Sequence, residues 1–335
     1  MSASDFDRRS GYQPTELLEV APIFVWPPQP LRFVKWLCGF PGYLLPWNAL
    51  YALIAILTWQ YLTPSLDRLK TLSVDWVSFL FLRNVLLLVL WVSVFHIRLY
   101  TRQAQGTDYK YNARWPSTEN SSFVFHSQLW DNVFWSVCSA APIWTLYEVV
   151  TLWMQANKFV PCISFGAHPV FFTALMLAIP LLAETHFYLI HRLIHWRPLY
   201  RAIHSMHHKN VNPGPWSGLA MHPIEHLLYF SGVMLHWIVP SHPIHVLFHL
   251  RYTALGPASS HCGFDKLVVK NHVSLRIDQY MHYLHHKHFE VNYGSELVPF
   301  DKWFGTFHDG SKTAHAAMKR RIMNRNRNRA PKPDQ

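Results

Sequence analysis

The stretch Glu184–His195, ETHFYLIHRLIH, decides how this chain is read. It closes an apolar run, Val170–Ile190, that is long enough to cross the ~30 Å hydrocarbon core of a bilayer as a helix. His191 and His195 stand four residues apart just past the apolar part, so on a continuing helix they share one face. Glu184 and Tyr188 precede them on the same side. An imidazole pair carried out of a membrane on a rigid helix suggests a metal centre at the membrane face, although such a pair alone is commonly a packing feature.

Two further runs change the weighing. His204, His207 and His208 follow after eight residues, and the same spacing recurs at His282, His285 and His286. On a helix the first member of each triplet lies near one face with both the second and the third, as His204 does with His207 and His208, while the adjacent second and third diverge by about 100°. One triplet can therefore contact two metals. A pair plus two triplets offers more nitrogens than one first-row ion accepts, and two ions with open positions are the economical reading. His222 and His226, four apart in HPIEH, and His261 in SSHCG are additional candidate ligands. Asp278, four before His282, is placed to orient an imidazole, and Glu184 to accept from one and fix its tautomer. Tyr188, Trp216 and Tyr283 are candidate pocket aromatics, with plain packing the commoner role. His242, His245 and His249 sit in a proline-broken apolar stretch and read as packing or interfacial residues. His96, His126 and His315 read as surface histidines.

Ligand type alone does not choose among iron, zinc, copper and nickel. The four cysteines (Cys38, Cys138, Cys162 and Cys262) have no paired spacing, so imidazoles must carry the metal. An all-imidazole dinuclear centre beside an apolar path favours iron and oxygen. A membrane dizinc hydrolase would usually bring carboxylate ligands, which the runs lack. A metal transporter would place its ligands at mid-membrane rather than after a span.

Half of the chain is hydrophobic and only 15% charged, well below a soluble domain. Four spans are expected: Tyr43–Leu62, Val77–Ile97, Val133–Met154 and Val170–Ile190. Leu227–Val239 and Ile244–Leu250, broken by Pro240 and Pro243, read as a buried or interfacial hairpin or a weak fifth span. Arg98, Arg102, Lys110 and Arg114 lie between the second and third spans, and Lys158 alone between the third and fourth. The positive-inside rule then puts all three histidine runs in the cytoplasm. Arg83 and Glu148 lie within spans and are expected to pair. No cleavable leader is expected from the polar first residues. The net charge of +11 comes partly from Lys319, Arg320, Arg321, Arg325, Arg327 and Arg329. That tail reads as disordered or as a contact for anionic lipid headgroups. Nucleic acid is not an expected partner, because no folded basic domain accompanies it.

The fold expected is all-α integral membrane, with about four transmembrane helices and a cytosolic helical cap holding a dinuclear histidine-rich site. Its parts are a polar or interfacial segment (1–36), two spans with a loop (37–130), a catalytic unit (131–310) and the basic tail (311–335).

At ETHFYLIHRLIH, LYRAIHSMHH (Leu199–His208), His222-Pro223-Ile-Glu225, His261-Cys-Gly263, HYLHH (His282–His286), Asn292-Tyr293-Gly294 and Asp301-Lys-Trp-Phe304-Gly305-Thr306, the chain resembles the fatty acid hydroxylase superfamily of membrane di-iron enzymes. The likeness covers about residues 130–308. The first-pair spacing and the HP and HCG elements lean to its sterol desaturase-like branch. The resemblance implies two irons held by His191, His195, His204, His207, His208, His282, His285 and His286, with His261, His222 and, less securely, His226 matching further family histidines. It implies O2 as co-substrate, and hydroxylation or desaturation of an unactivated C–H bond of a lipid. Electrons would come from NAD(P)H through a separate cytochrome b5 or ferredoxin-like carrier. The membrane would be the endoplasmic reticulum in a eukaryote or the inner membrane in a bacterium. Sterols, acyl chains, long-chain alcohols and bacterial aminolipids remain open as substrates, as does the oligomeric state.

Overall fold

The computed structural model describes residues 11–14, 20–269, 273–277 and 279–329. A short helix α1 (Pro30–Cys38) precedes α2 (Ala49–Tyr61). Three long helices follow: α3 (Val74–Thr101), α4 (Gln128–Ala156) and α5 (Pro169–Ile194). Then come α6 (Pro223–Phe230), α7 (Pro243–Ser260), an antiparallel hairpin of β1 (Lys266–Val269) and β2 (Val273–Arg276), α8 (Tyr280–His288) and α9 (Lys312–Arg329).

Among the described residues, α3, α4 and α5 are the helices long and apolar enough to span a bilayer. Their outward faces fit that role. On α3, Trp76, Leu80, Arg83, Asn84, Leu88, Val92 and Phe95 are buried, whereas Phe79, Leu82, Leu86, Leu90 and Val94 are exposed. Apart from the adjacent polar pair Arg83 and Asn84, both series step by three or four residues, so the helix is largely apolar towards the bundle and towards its surroundings. A water-facing helix would carry polar residues on the second face. On α5, Val170, Phe171, Leu177, Leu182, Leu189 and Leu193 are similarly exposed. The chain is thus an integral, multi-pass membrane protein.

The first expected span is shorter than the sequence suggests. Leu45 is extended (φ −111°, ψ 139°), as the residue before Pro46 tends to be, and regular α-helix starts only at Ala49. The 13 residues of α2 measure about 20 Å, less than the ~30 Å needed to cross.

The proline-broken stretch corresponds to the centre of the bundle. Pro243 starts α7, and His242 caps it by accepting the Ile244 N–H at 3.1 Å. Val246, Leu247, Phe248, Leu250, Ala254, Leu255 and Ala258 are all buried, and α7 packs against α2, α3, α4 and α5. His245 and His249 serve packing here: His245 Nε2–H donates to Phe172 O at 2.9 Å, and His249 Nδ1 lies 3.2 Å from His236 Nε2.

Among the described residues the fold is all-α as expected, apart from the β1–β2 hairpin, whose strands pair from Lys266–Arg276 to Val269–Val273. One other expectation differs. The basic tail is helical over Lys312–Arg329 rather than irregular. The segment is rich in Ala, Lys, Arg and Met and lacks Gly and Pro, and Arg325 binds Glu290 at 2.7 Å.

Arg83 and Glu148 meet as expected, in a larger buried group. Glu148 pairs with Arg83, accepts from Arg251 Nη1 at 3.2 Å and from Asn84 Nδ2 at 3.0 Å. Arg251 also lies 4.8 Å over the Trp144 ring.

Candidate metal centre

The C-terminal end of α5 delivers His191 and His195. The chain then turns back after Trp196, and an irregular helical segment carries His204, His207 and His208. His261 stands immediately after α7, and α8 presents His282, His285 and His286. These four segments converge.

Nine imidazoles form two adjacent groups: His191, His195, His204, His208 and His285 in the first, and His207, His261, His282 and His286 in the second. Each i, i+4 pair stays in one group, while His207 and His285 cross to the other. In the first group the neighbouring Nε2 atoms lie 3.0–3.2 Å apart. In the second, His282 and His261 Nε2 are 2.8 Å apart, His286 and His282 3.2 Å, and His261 and His207 3.4 Å. The groups adjoin: the His208 and His286 ring centroids are 5.0 Å apart.

The opposite nitrogens show what these contacts are. His191 Nδ1–H donates to Tyr293 O at 2.6 Å, and His285 Nδ1–H to Val291 O at 2.6 Å. His261 donates to Pro257 O at 3.1 Å and His207 to Ala220 O at 3.3 Å. His204 Nδ1–H donates to Glu225 Oε1 at 2.7 Å. A carbonyl oxygen only accepts, so the Nδ1 atoms that bond one carry the ring proton, and their Nε2 atoms present lone pairs. Lone pairs crowded nose to nose repel one another unless cations lie between them. The arrangement is compatible with two metal ions, one in each imidazole group.

Burial supports the same reading. Eight of the nine rings are buried and His195 is intermediate. Desolvation pushes His207 down to about 4, and burial holds His285 down to about 3. Burial, then repulsion from neighbouring imidazoles, holds His195, His204, His208, His261, His282 and His286 well below the ordinary histidine value. The rings are therefore neutral at pH 7, the form that ligates metal.

Other sequence candidates lie elsewhere. His222 caps α6, accepting the Ile224 N–H at 3.2 Å. His226 uses both nitrogens, on Ser139 Oγ at 2.9 Å and Leu219 O at 3.1 Å. Neither belongs to either group. Glu184 touches no ligand imidazole; it accepts from Tyr252 OH at 2.5 Å. The imidazole-orienting carboxylate is Glu225, whose own carboxyl burial raises well above the usual range. Tyr188 packs on Phe300, with ring centroids 4.8 Å apart, and Tyr283 packs on Tyr111 at 5.1 Å. Trp216 is buried in the core. Asp278 lies outside the described residues.

Asp301 was missed as a support. It accepts the Tyr293 and Gly294 N–H groups at 2.9 and 2.7 Å, and so fixes the carbonyl that holds His191. The DKWFGT run contained the signal. A third group, His288, His308 and His315, lies apart. His308 Nδ1 accepts the Gly310 N–H at 2.9 Å, which leaves the ring proton on Nε2.

A cavity of about 1020 Å³ adjoins the centre. His191, His204, His207, His261 and His282 line one part of it, Phe187, Tyr229 and Tyr252 its flank, and Arg32, Lys35 and Trp36 of α1 another part. Leu31 and Val34 of α1 are exposed. Such a helix suits an interfacial position beside the cavity.

A membrane-length helix, α5, that ends at two adjacent imidazole groups is compatible with a histidine-liganded metal site at a membrane face. The family pattern "Fatty acid hydroxylase" matches residues 175–306, which hold all nine histidines. The chain is 29% identical over 125 residues to methylsterol monooxygenase 1 of Danio rerio, covering 37% of this chain and 43% of the relative. It is 29% identical over 141 residues to the Rattus norvegicus methylsterol monooxygenase 1, covering 41% and 47%. It is 30% identical over 125 residues to the Delta(7)-sterol 5(6)-desaturase of Candida glabrata, covering 36% and 32%. The chain thus spans less than half the length of these relatives. No solved structure matches it.

Proposed function

We propose that the chain is an oxygen-dependent di-iron hydroxylase or desaturase that acts on an unactivated C–H bond of a membrane lipid. Its electrons come from a separate NAD(P)H-linked carrier, a cytochrome b5 or a ferredoxin-like protein, on the cytoplasmic face. The observation that carries this reading is the pair of five- and four-imidazole groups at the wall of a lipid-sized cavity. Neither group contains a carboxylate, which disfavours the hydrolytic dizinc alternative.

Two irons bound there would supply the oxidant that cleaves the C–H bond. The protein's share is placement. His191, His195, His204, His208 and His285 would hold one ion, and His207, His261, His282 and His286 the other. The backbone carbonyls of Tyr293, Val291, Pro257 and Ala220 keep the Nε2 lone pairs inward, and Glu225 does so for His204. Phe187, stacked on His191 at 4.8 Å between centroids, gives the cavity an apolar wall beside the metal end. That wall excludes water and keeps a substrate carbon close.

The test is anaerobic metal analysis with Mössbauer spectroscopy on iron-57-enriched protein extracted from membranes. About two irons per chain are expected, and fewer after His207→Ala or His285→Ala. Zinc alone, without oxygen-dependent turnover after iron reconstitution, would sink the proposal.

A further inference from the structure

Among the described residues, three acidic side chains line the cavity: Glu184, Glu225 and Glu296. Two have basic partners. Glu225 holds His204 at 2.7 Å, and Glu296 holds Arg276 at 2.8 Å. Glu184 has no cation among its described partners. The Tyr252 hydroxyl donates to it at 2.5 Å, and the Ser295 hydroxyl also bonds it. A carboxyl group, ionised or not, keeps lone pairs beyond two accepted hydrogen bonds, so two neutral donors leave room for another. A carboxyl group in an apolar membrane bundle costs stability unless it is used.

Its position gives the use. Glu184 and His191 lie on α5 seven residues apart, two turns, so they share a face about 10 Å apart along the axis. Phe187 lies between them on the same wall. The cavity therefore has a hydrogen-bond acceptor, then an apolar stretch, then the metal end. The Tyr229 hydroxyl donates to Thr253 O at 2.8 Å, and Glu184 is the carboxyl acceptor on this flank.

We propose that Glu184 is a specificity residue that accepts a hydrogen bond from a hydroxyl group of the lipid. The hydroxyl is anchored two helical turns from the centre, and the bond attacked lies several carbons away from it rather than adjacent. A hydroxyl is favoured over an ammonium group because the flank is built of neutral Tyr, Ser and Phe groups. Desolvating a hydroxyl is far cheaper than desolvating a cation. This deepens the oxygenase reading and rests on it for the bond attacked; the recognition itself does not need turnover.

The test is equilibrium binding of radiolabelled 1-hexadecanol to the metal-loaded protein in nanodiscs, anaerobically and without reductant. Hexadecyl methyl ether and hexadecylamine are the competitors. The alcohol should displace the label at least about tenfold better than the ether, which cannot donate. Glu184→Leu should abolish that preference. Glu184→Gln, whose amide oxygen still accepts, should keep most of it, and it serves as the folded control. Equal binding of alcohol and ether by the wild type, or an unchanged preference in Glu184→Leu, overturns the proposal. So does an amine that outcompetes the alcohol. Because binding is read without catalysis, a failure of the iron analysis is separable from a failure here.

Discussion

Glu225 Oε1 lies 2.7 Å from His204 Nδ1, with both side chains buried, and it is the carboxylate contact made by a ligand imidazole among the described residues. It fixes the His204 tautomer and makes that ring a better donor to metal. Glu225→Ala should therefore lower metal affinity at the five-histidine group by about 10–100-fold, with Glu225→Gln in between because its oxygen still accepts. Chelator competition on the purified variants measures this. Unchanged affinity in both would show that the contact does not serve the metal.

His208 and His226 are both buried histidines, and the structure gives them different tasks. His208 Nε2 faces His195, His204 and His285. His226 bonds Ser139 and Leu219 O. His208→Ala should remove metal. His226→Ala should retain it but lose about 1–3 kcal/mol of stability, because buried polar partners are left unsatisfied. Metal content and thermal midpoint, measured on the same samples, separate the two roles.

The metal-free protein should weaken in mild acid. Burial holds His207 at about 4 and His285 at about 3, whereas an unfolded histidine titrates near 6.5. Between those values the unfolded chain binds more protons than the folded one, so stability falls as pH falls. The slope is about 1.4 kcal/mol per pH unit for each such ring, and it vanishes above about pH 6.5. Thermal midpoints of the chelated protein from pH 8 to 5 should be level and then decline. A midpoint that rises towards pH 5 would contradict the burial of these rings.

The histidine spacing made the centre legible because a helix fixes which residues share a face. His191 could be paired with His195 from their four-residue step, while His204 and His282 each stood near both later members of their triplets. The crossing of His207 and His285 depends on how four separate segments dock, which no local period encodes. The same limit explains Glu184 and Glu225. Both precede or follow histidines at suggestive distances, yet only packing decides which carboxyl reaches His204. His226 misled for the related reason that its four-residue step from His222 begins at a cap. The long spans were visible as apolar runs. The central role of α7 was obscured by its prolines, which start the helix at Pro243 instead of breaking it.

Glu148 binds two guanidinium groups, Arg83 and Arg251, where all three side chains are nearly inaccessible. The three charges sum to one net positive charge, partly stabilised by Asn84 and by the Trp144 face. Glu148→Gln would leave two buried cations with no counter-ion, at a cost of about 3–5 kcal/mol. Arg251→Met should cost less, because Glu148 keeps Arg83. Adding Arg251→Met to Glu148→Gln should recover part of the loss, since the second change removes one stranded cation. Thermal midpoints in one detergent measure the cycle. Strictly additive effects would mean that the three groups are not coupled, and that α3, α4 and α7 are held together by their apolar contacts alone.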